Sequence, residues 1–505
     1  MRCSRKFAFT MTSPTKNWSL KRKPTARGTA MTKPLTRLAP LLAALVLSAC
    51  AVGPVYEAPA IALPGQFEAA PVSATLATQL GDAWWLHYQD PVLDQLMAEA
   101  LTHNADVQLA AARLEEARAR AGIADADRYP AISASAGSNR IRSSEQGIAT
   151  DPRTYNLHTL GLSASYELDL WGRYRQASEA ARADLLGAVA ARRTVALSLS
   201  AELATRYFDL QAADERLRVL RQTLSARKNT AALLRQRMDA GSASQFDVLQ
   251  ADAAVAQVES DLATTLSAQQ STEAALAVLL GRSPRAIFEE TLARGAKTDT
   301  AVVVPAGLPA ELLRRRPDLI EAEQALVAAT ARIGEAQAQR LPAIALTAAL
   351  GRESTDLSNL LDANAGVFSL AASLTQPIWD AGRLKRNVDI AESRATQARL
   401  RYTQAVAGAF ADVRRALAAQ RGATDSRAAQ ATRVEALQTA LDQSQQRFDA
   451  GLVSRLEVLD TERSLLDAQV ALANASAAQK TAIADLFRAL GGGWQTPSEA
   501  GATAQ

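Results

Sequence analysis

Cys50 stands at the end of a run of leucines and alanines, and its type and position together suggest covalent chemistry. The only other thiol is Cys3, so no disulfide framework survives once a leader carrying Cys3 is removed. The three histidines, His87, His103 and His158, do not pair at metal-ligand spacing. No phosphate-binding loop is evident, and Gly491-Gly492-Gly493 reads as a helix stop before a flexible tail. No nucleophile–base constellation or carboxylate pair falls in a cleft-forming loop. The chain is therefore expected to be no enzyme, with no metal and no cofactor beyond what Cys50 carries. Charge excludes another class. Of 56 Lys and Arg, ten lie in residues 1–49, which hold no Asp or Glu; the remaining 46 face 52 acids, a net of −6. A mildly acidic body lacks the basic footprint that nucleic acid requires.

The segment that positions Cys50 begins at Met31. Lys33 and Arg37 form a positive region, Leu38 to Leu47 an apolar one, and Ser48 and Ala49 are small. This is the layout of a secretory signal peptide, too short to span a bilayer. Residues 1–30 add eight basic residues in no targeting pattern, so translation is expected to start at Met31. Leu47-Ser48-Ala49-Cys50 resembles the lipobox of bacterial lipoproteins. The resemblance implies cleavage before Cys50, a diacylglycerol on its sulfur and an acyl group on its new amine. Several acyl chains hold a protein on a bilayer stably. In that family an Asp after the cysteine marks inner-membrane retention, and Ala51 points instead to the outer membrane. The other reading is an ordinary signal peptide that ends by chance at a cysteine.

The body contains two similar halves. Arg237-Met238-Asp239-Ala240-Gly241 matches Arg447-Phe448-Asp449-Ala450-Gly451, 210 residues on, and Ser244 to Leu249 continues the match at Ser454 to Leu459. Gly172-Arg173 and Gly382-Arg383 keep the same offset, as do Leu280-Gly281 and Leu490-Gly491. Arg128-Tyr129-Pro130-Ala131-Ile132 matches Arg340-Leu341-Pro342-Ala343-Ile344 at an offset of 212. Ordered matches at nearly constant spacing indicate duplication.

Each half follows one grammar. A helix rich in Ala, Glu, Gln and Arg comes first, over 104–128 and 318–339, and ends at a proline where a strand begins. Strands are expected at 131–138, 160–170, 343–350 and 368–375, with polar loops at 143–156 and 352–366. Their alternation is clear: Leu160, Leu162, Ala164, Tyr166, Leu168 and Leu170 face one way, Gly161, Ser163, Ser165, Glu167 and Asp169 the other. Such a pattern suits a barrel wall between lipid and water or a half-buried soluble sheet. Long proline-free helices then run over 173–238 and 383–449, each reaching about 100 Å. Asp-Ala-Gly turns the chain, and shorter helices return over 245–280 and 455–490. Val248, Val255 and Leu262 recur every seven residues, as do Leu459 and Leu466, which indicates coiled-coil packing.

Four strands cannot close a barrel, and lipid does not tolerate open sheet edges. Several copies must therefore share one. Two copies give eight strands and an interior nearly filled by side chains, whereas three give twelve and leave a lumen.

The whole pattern resembles the TolC-type outer membrane efflux proteins. Cys50-Ala51-Val52-Gly53-Pro54-Val55-Tyr56, Trp84-Trp85, Leu312-Leu313-Arg314-Arg315-Arg316-Pro317-Asp318 and Pro377-Ile378-Trp379-Asp380-Ala381-Gly382-Arg383 resemble the NodT-like lipoprotein branch. The resemblance covers about residues 50–494. It implies an α+β membrane protein: a homotrimer with a twelve-stranded outer-membrane β-barrel, four strands per chain, and a long periplasmic α-helical coiled-coil barrel. It also implies a periplasmic adaptor (membrane fusion) protein and an inner-membrane pump of the resistance-nodulation-division type as partners, with outer membrane lipid around the barrel. The chain divides into a leader (1–49), a lipid-anchored segment (50–90), two efflux repeats (91–284 and 311–494), a linker (285–310) and a tail (495–505).

Residue by residue, the family's acidic entrance ring maps onto Glu457 and Asp460, which share a helix face and would favour cations. Some members carry aspartate at both places. A third gate acid maps onto Asp247. Its partners in the family are an aromatic, matching Phe448, and an arginine, matching Val453; Arg455 is the available substitute. All three acids also suit a helix N-terminus for electrostatic reasons alone. Arg314-Arg315-Arg316 reads as the basic end of a short helix, Trp84 and Trp85 as packing, and Trp171 and Trp379 as interfacial anchors. Beside the efflux conduit stand a type I protein-secretion channel and a periplasmic coiled-coil scaffold that spans nothing.

Overall fold

The computed structural model describes residues 52–62, 83–143, 154–295 and 313–492. Cys50, the leader and most of the expected linker lie outside them. Two helices, α1 (Pro91–His103) and α2 (Ala105–Ala126), open the first half. Asp90 caps α1, accepting from the amides of Val92 (3.0 Å) and Leu93 (3.3 Å). Asn104 caps α2 in the same way, at 2.8 and 3.2 Å from Asp106 and Val107. The long helices α3 (Arg173–Asp239) and α7 (Arg383–Asp449) have 67 residues each, about 100 Å of rod. Their return helices, α4 (Gln245–Leu279) and α8 (Arg455–Ala489), have 35 each. Short α5 (Pro284–Glu289) follows α4, and α6 (Pro317–Ala338) opens the second half.

The two hairpin turns are identical in design. Gly241 and Gly451 take φ of +75° and +73°, a conformation that costs other residues free energy. The amides of Ser242 and Leu452 reach back to the carbonyls of Arg237 (2.7 Å) and Arg447 (2.8 Å), closing each helix. Along the hairpins Val248 and Val255 pack on Ala231 and Leu234. Val258 and Leu262 pack with Val219, Leu220 and Leu466. Leu466 belongs to the second hairpin, so the heptad seam joins the two repeats laterally.

The largest buried side chains gather near the middle of α3. Trp84 is fully buried, stacks on Phe487 with ring centroids 5.2 Å apart and donates to Ser200 Oγ at 3.1 Å. The Tyr88 hydroxyl donates to the Lys480 carbonyl (2.7 Å), and the Tyr207 hydroxyl donates to Asp90 (2.6 Å). This knot ties the start of the body to α3 and the end of α8. Trp84 fulfils its packing role, and Trp85 packs partly buried against the same cluster. The arginine run closes a short helix at 313–315, as expected, and one of its members turns inward. Arg316 is buried and forks onto Asp318 at 3.0 and 2.7 Å. It also reaches Asp412 (3.2 Å) and the Ala489 carbonyl (3.1 Å). It clamps α6 to α7 and α8.

The sheet is antiparallel in the order β1-β2-β3-β4, with β1 (Ala131–Arg142), β2 (Thr154–Leu168), β3 (Ala343–Ser354) and β4 (Gly366–Thr375). Several boundaries need correction: β1 runs on to Arg142 and β4 starts at Gly366, each beyond its expected range. β2 starts at Thr154, inside the expected loop, and stops at Leu168 because Asp169 leaves the ladder to cap α3. Its carboxylate accepts from the amides of Tyr174 (3.2 Å) and Arg175 (2.8 Å). β3 runs on to Ser354, so the second loop is shorter and holds two 3-10 turns, Leu357–Asn359 and Ala363–Ala365.

Register separates the faces. Ala134, Leu162, Leu350 and Phe368 form one cross-strand row, and Ile132, Ala164, Ala348 and Leu370 the next. Phe368 is 88% exposed and Leu370 80%, so no other described residue covers this apolar face. The opposite face carries Ser133, Ser163, Ala349 and Ser369, and the two serine hydroxyls on β1 and β2 lie 2.8 Å apart. Trp171 donates to the Pro342 carbonyl at 2.7 Å, stitching the end of β2 to the start of β3. Trp379 is 87% exposed. Among the described residues no helix is long and apolar enough to cross a membrane.

Candidate functional site

The two hairpin tips carry the three acidic residues singled out from the sequence. Asp247 lies on the first turn of α4, Glu457 and Asp460 on the first turns of α8. No two of them pair with each other; each has a partner of its own. Asp247 completes a capping box. Its carboxylate accepts from the Ser244 amide at 3.0 Å, and its own amide donates to Ser244 Oγ at 3.2 Å. The Ser244 hydroxyl, followed by the Ser244 amide, holds this carboxyl below the usual aspartate range. Asp247 thus occupies a helix-start position at the first tip.

The second tip departs from the first. Ser454 makes no side-chain cap, and the Glu457 carboxylate turns to Arg447 at 3.4 Å. Asp460 pairs with Arg463 at 2.6 Å. All four side chains are about half exposed or more, and such pairs contribute about 0–1 kcal/mol. The cations that the sequence reading missed, Arg447 and Arg463, carry only the weak signal of sitting ten and three residues from their acids. Capping differs between the halves: the Asp247 carboxylate folds back on Ser244, while the Glu457 carboxylate reaches Arg447 across the turn.

Arg455 bridges the hairpins. Its guanidinium lies over the Phe448 ring, 5.5 Å from the centroid, and donates to Thr230 on α3 (3.3 Å) and Gln445 on α7 (3.5 Å). Glu462 lies 3.7 Å away. The aromatic and the substitute arginine named from the sequence thus meet, and Val453 has no such role.

Long paired hairpins on a four-stranded sheet with an uncovered apolar face leave few precedents, and comparison with known proteins is decisive. Residues 96–282 and 308–492 match the family described as outer membrane efflux protein. The chain belongs to the outer membrane efflux protein family. It is 34% identical over 461 residues to the cation efflux system protein CusC of Escherichia coli O6:H1, covering 91% of this chain and 99% of that one. It is 34% identical over 452 residues to the probable outer membrane lipoprotein SilC of Salmonella typhimurium, covering 89% and 97%. Among solved structures, the open state of the Neisseria gonorrhoeae MtrE outer membrane channel superposes with a TM-score of 0.78 at 32% identity, covering 88% of this chain and 99% of that one. This efflux protein has the TolC-type fold, and its place is the outer membrane. Its sheet is the membrane element and its hairpins the conduit.

Proposed function

We propose that three copies of this efflux protein close one twelve-stranded barrel and one tunnel of helices. The assembly is a passive, gated exit duct. An inner-membrane pump of the resistance-nodulation-division type, joined through a periplasmic adaptor, delivers drugs or other toxic compounds to it. The observation that carries this reading is the sheet: an exposed apolar face with β1 and β4 each paired on one side only. The four strands alternate in direction, so β4 of one copy meets β1 of the next antiparallel, and the ring closes head to tail. The protein performs no chemistry of its own. The decisive experiment is planar-bilayer recording combined with cross-linking in detergent. Defined conductance from a cross-linked trimer supports the duct; a monomer that leaves bilayers silent sinks it.

The entrance reading places six carboxylates, Glu457 and Asp460 from three copies, around one aperture. Their pairing with Arg447 and Arg463 is weak, so opening requires little work at these contacts. Asp460→Ala and Glu457→Ala are expected to lower the cation-to-anion permeability ratio several-fold, most at low salt where screening is least. Asp247→Ala is expected to act on stability as well, at about 0.3–1 kcal/mol, because it removes the carboxylate half of the capping box and leaves the Ser244 cap in place. An unchanged permeability ratio in the Asp460 and Glu457 variants would remove both from the gate.

Cys50 is the proposed lipid attachment point. Cys50→Ala is expected to abolish incorporation of labelled palmitate while leaving barrel assembly intact. Label retained by the variant would place the lipid elsewhere.

A further inference from the structure

The membrane face of the sheet changes character toward its loop end. On the alternation shared by Leu162, Leu350 and Phe368, the successive positions beyond Leu160 are Arg352 beside it, then Ser138, His158 and Ser354, then Arg140 with Asn156, then Arg142 with Thr154. Among the described residues, three arginines and a histidine share this end of the face, and no acid does. The described acids at this end lie elsewhere: Glu353 points to the opposite face beside Thr159, and Asp356 and Asp362 belong to the β3–β4 loop. Arg140 and Arg142 are exposed. Arg352 donates to the Asp362 carbonyl at 2.7 Å, which holds its guanidinium at the rim.

Geometry places this girdle at a membrane surface. From Leu168 to Leu160 the apolar stretch of β2 spans about 26 Å of strand, comparable to the lipid band of roughly 25 Å on outer-membrane barrels. The arginines begin where that band stops. They lie at the end opposite the long helices, which on the channel reading is the outer leaflet. Guanidinium groups recognise phosphate through paired, charge-assisted hydrogen bonds.

We infer that Arg140, Arg142 and Arg352 form a girdle that binds the phosphate groups of anionic lipid headgroups at the outer rim of the barrel. The girdle continues the lipid-facing surface, so its occupant is lipid. This rests on the channel reading, and the test separates the two.

The full-length protein is purified in a neutral detergent and exposed to a bisphosphorylated glycolipid, to phosphatidylcholine, or to inorganic phosphate alone. Lipid phosphorus retained per chain is measured after gel filtration, and conductance is recorded on the same preparations. The parent is expected to retain the bisphosphorylated lipid and not phosphatidylcholine. Arg140→Gln/Arg142→Gln is expected to bind it about tenfold more weakly while conducting normally. Arg192→Gln/Arg193→Gln on α3, which removes the same charge, is expected to retain it like the parent. Equal retention by the girdle variant and the parent, with both conducting, overturns the headgroup site alone. Inorganic phosphate that displaces the lipid completely shows an adventitious anion site and also overturns it. Preparations that never conduct overturn the channel reading instead.

Discussion

Arg316→Ala is expected to lower the stability of this efflux protein by about 2–3 kcal/mol, among the largest effects of any single side chain. Removing one partner of a buried ion pair costs about 3–5 kcal/mol. The value is set lower here because Asp318 and Asp412 are 37% and 39% exposed, so water partly replaces the lost guanidinium. The Ala489 carbonyl also loses its donor. Arg316→Lys is expected to recover only part of the loss, since an ammonium cannot make the two parallel bonds to Asp318. Arg314→Ala, two residues away and exposed, is expected to be neutral. Thermal unfolding followed by circular dichroism reads all three. A parent-like transition in Arg316→Ala would show that the clamp does not hold α6, α7 and α8 together.

Ala348→Arg is expected to abolish assembly in the membrane. Ala348 sits between Ala164 and Leu370 in a cross-strand row, halfway along the apolar stretch of β2, and an arginine on the lipid face near the midplane costs about 2–4 kcal/mol. In a trimer that cost is incurred three times. Ala349→Arg, one residue away, faces Ser163 and Ser369 and is expected to assemble while reducing cation conductance, because it puts positive charge in the lumen. The two variants share composition and differ only in face. Heat-modifiable migration and bilayer recording distinguish them. Assembly of Ala348→Arg at parental levels would invert the assignment of faces.

Most of the helical plan is legible in the sequence, because duplication prints each feature twice. Proline-free stretches, Asp-Ala-Gly turns and heptad valines locate α3, α4, α7 and α8 to within a residue or two. β2 was less legible for a physical reason. Its apolar residues fall on odd positions at Tyr155 and Leu157 and on even positions from Leu160 onward. The strand does not break there. The environment of each face changes as the strand leaves the lipid band, and an alternation that switches phase reads as a loop. The Arg316 clamp was hidden because three arginines in a row resemble a solvated charge run; only the following Pro-Asp hints that one of them turns inward. At the tips, Ser-x-x-Asp and Ser-x-x-Glu announce the same capping box, and the structure realises only the first.

The equal lengths of the paired hairpins carry a constraint on how such a molecule can evolve. Deleting one heptad from α3 alone would draw its turn back by about 10 Å while that of α7 stayed put. The rim would become a sawtooth that no flat collar could seal. Any change in the reach of the conduit must therefore be edited into both halves together, and the two copies of the ancestral gene remain yoked in length long after their side chains have drifted apart.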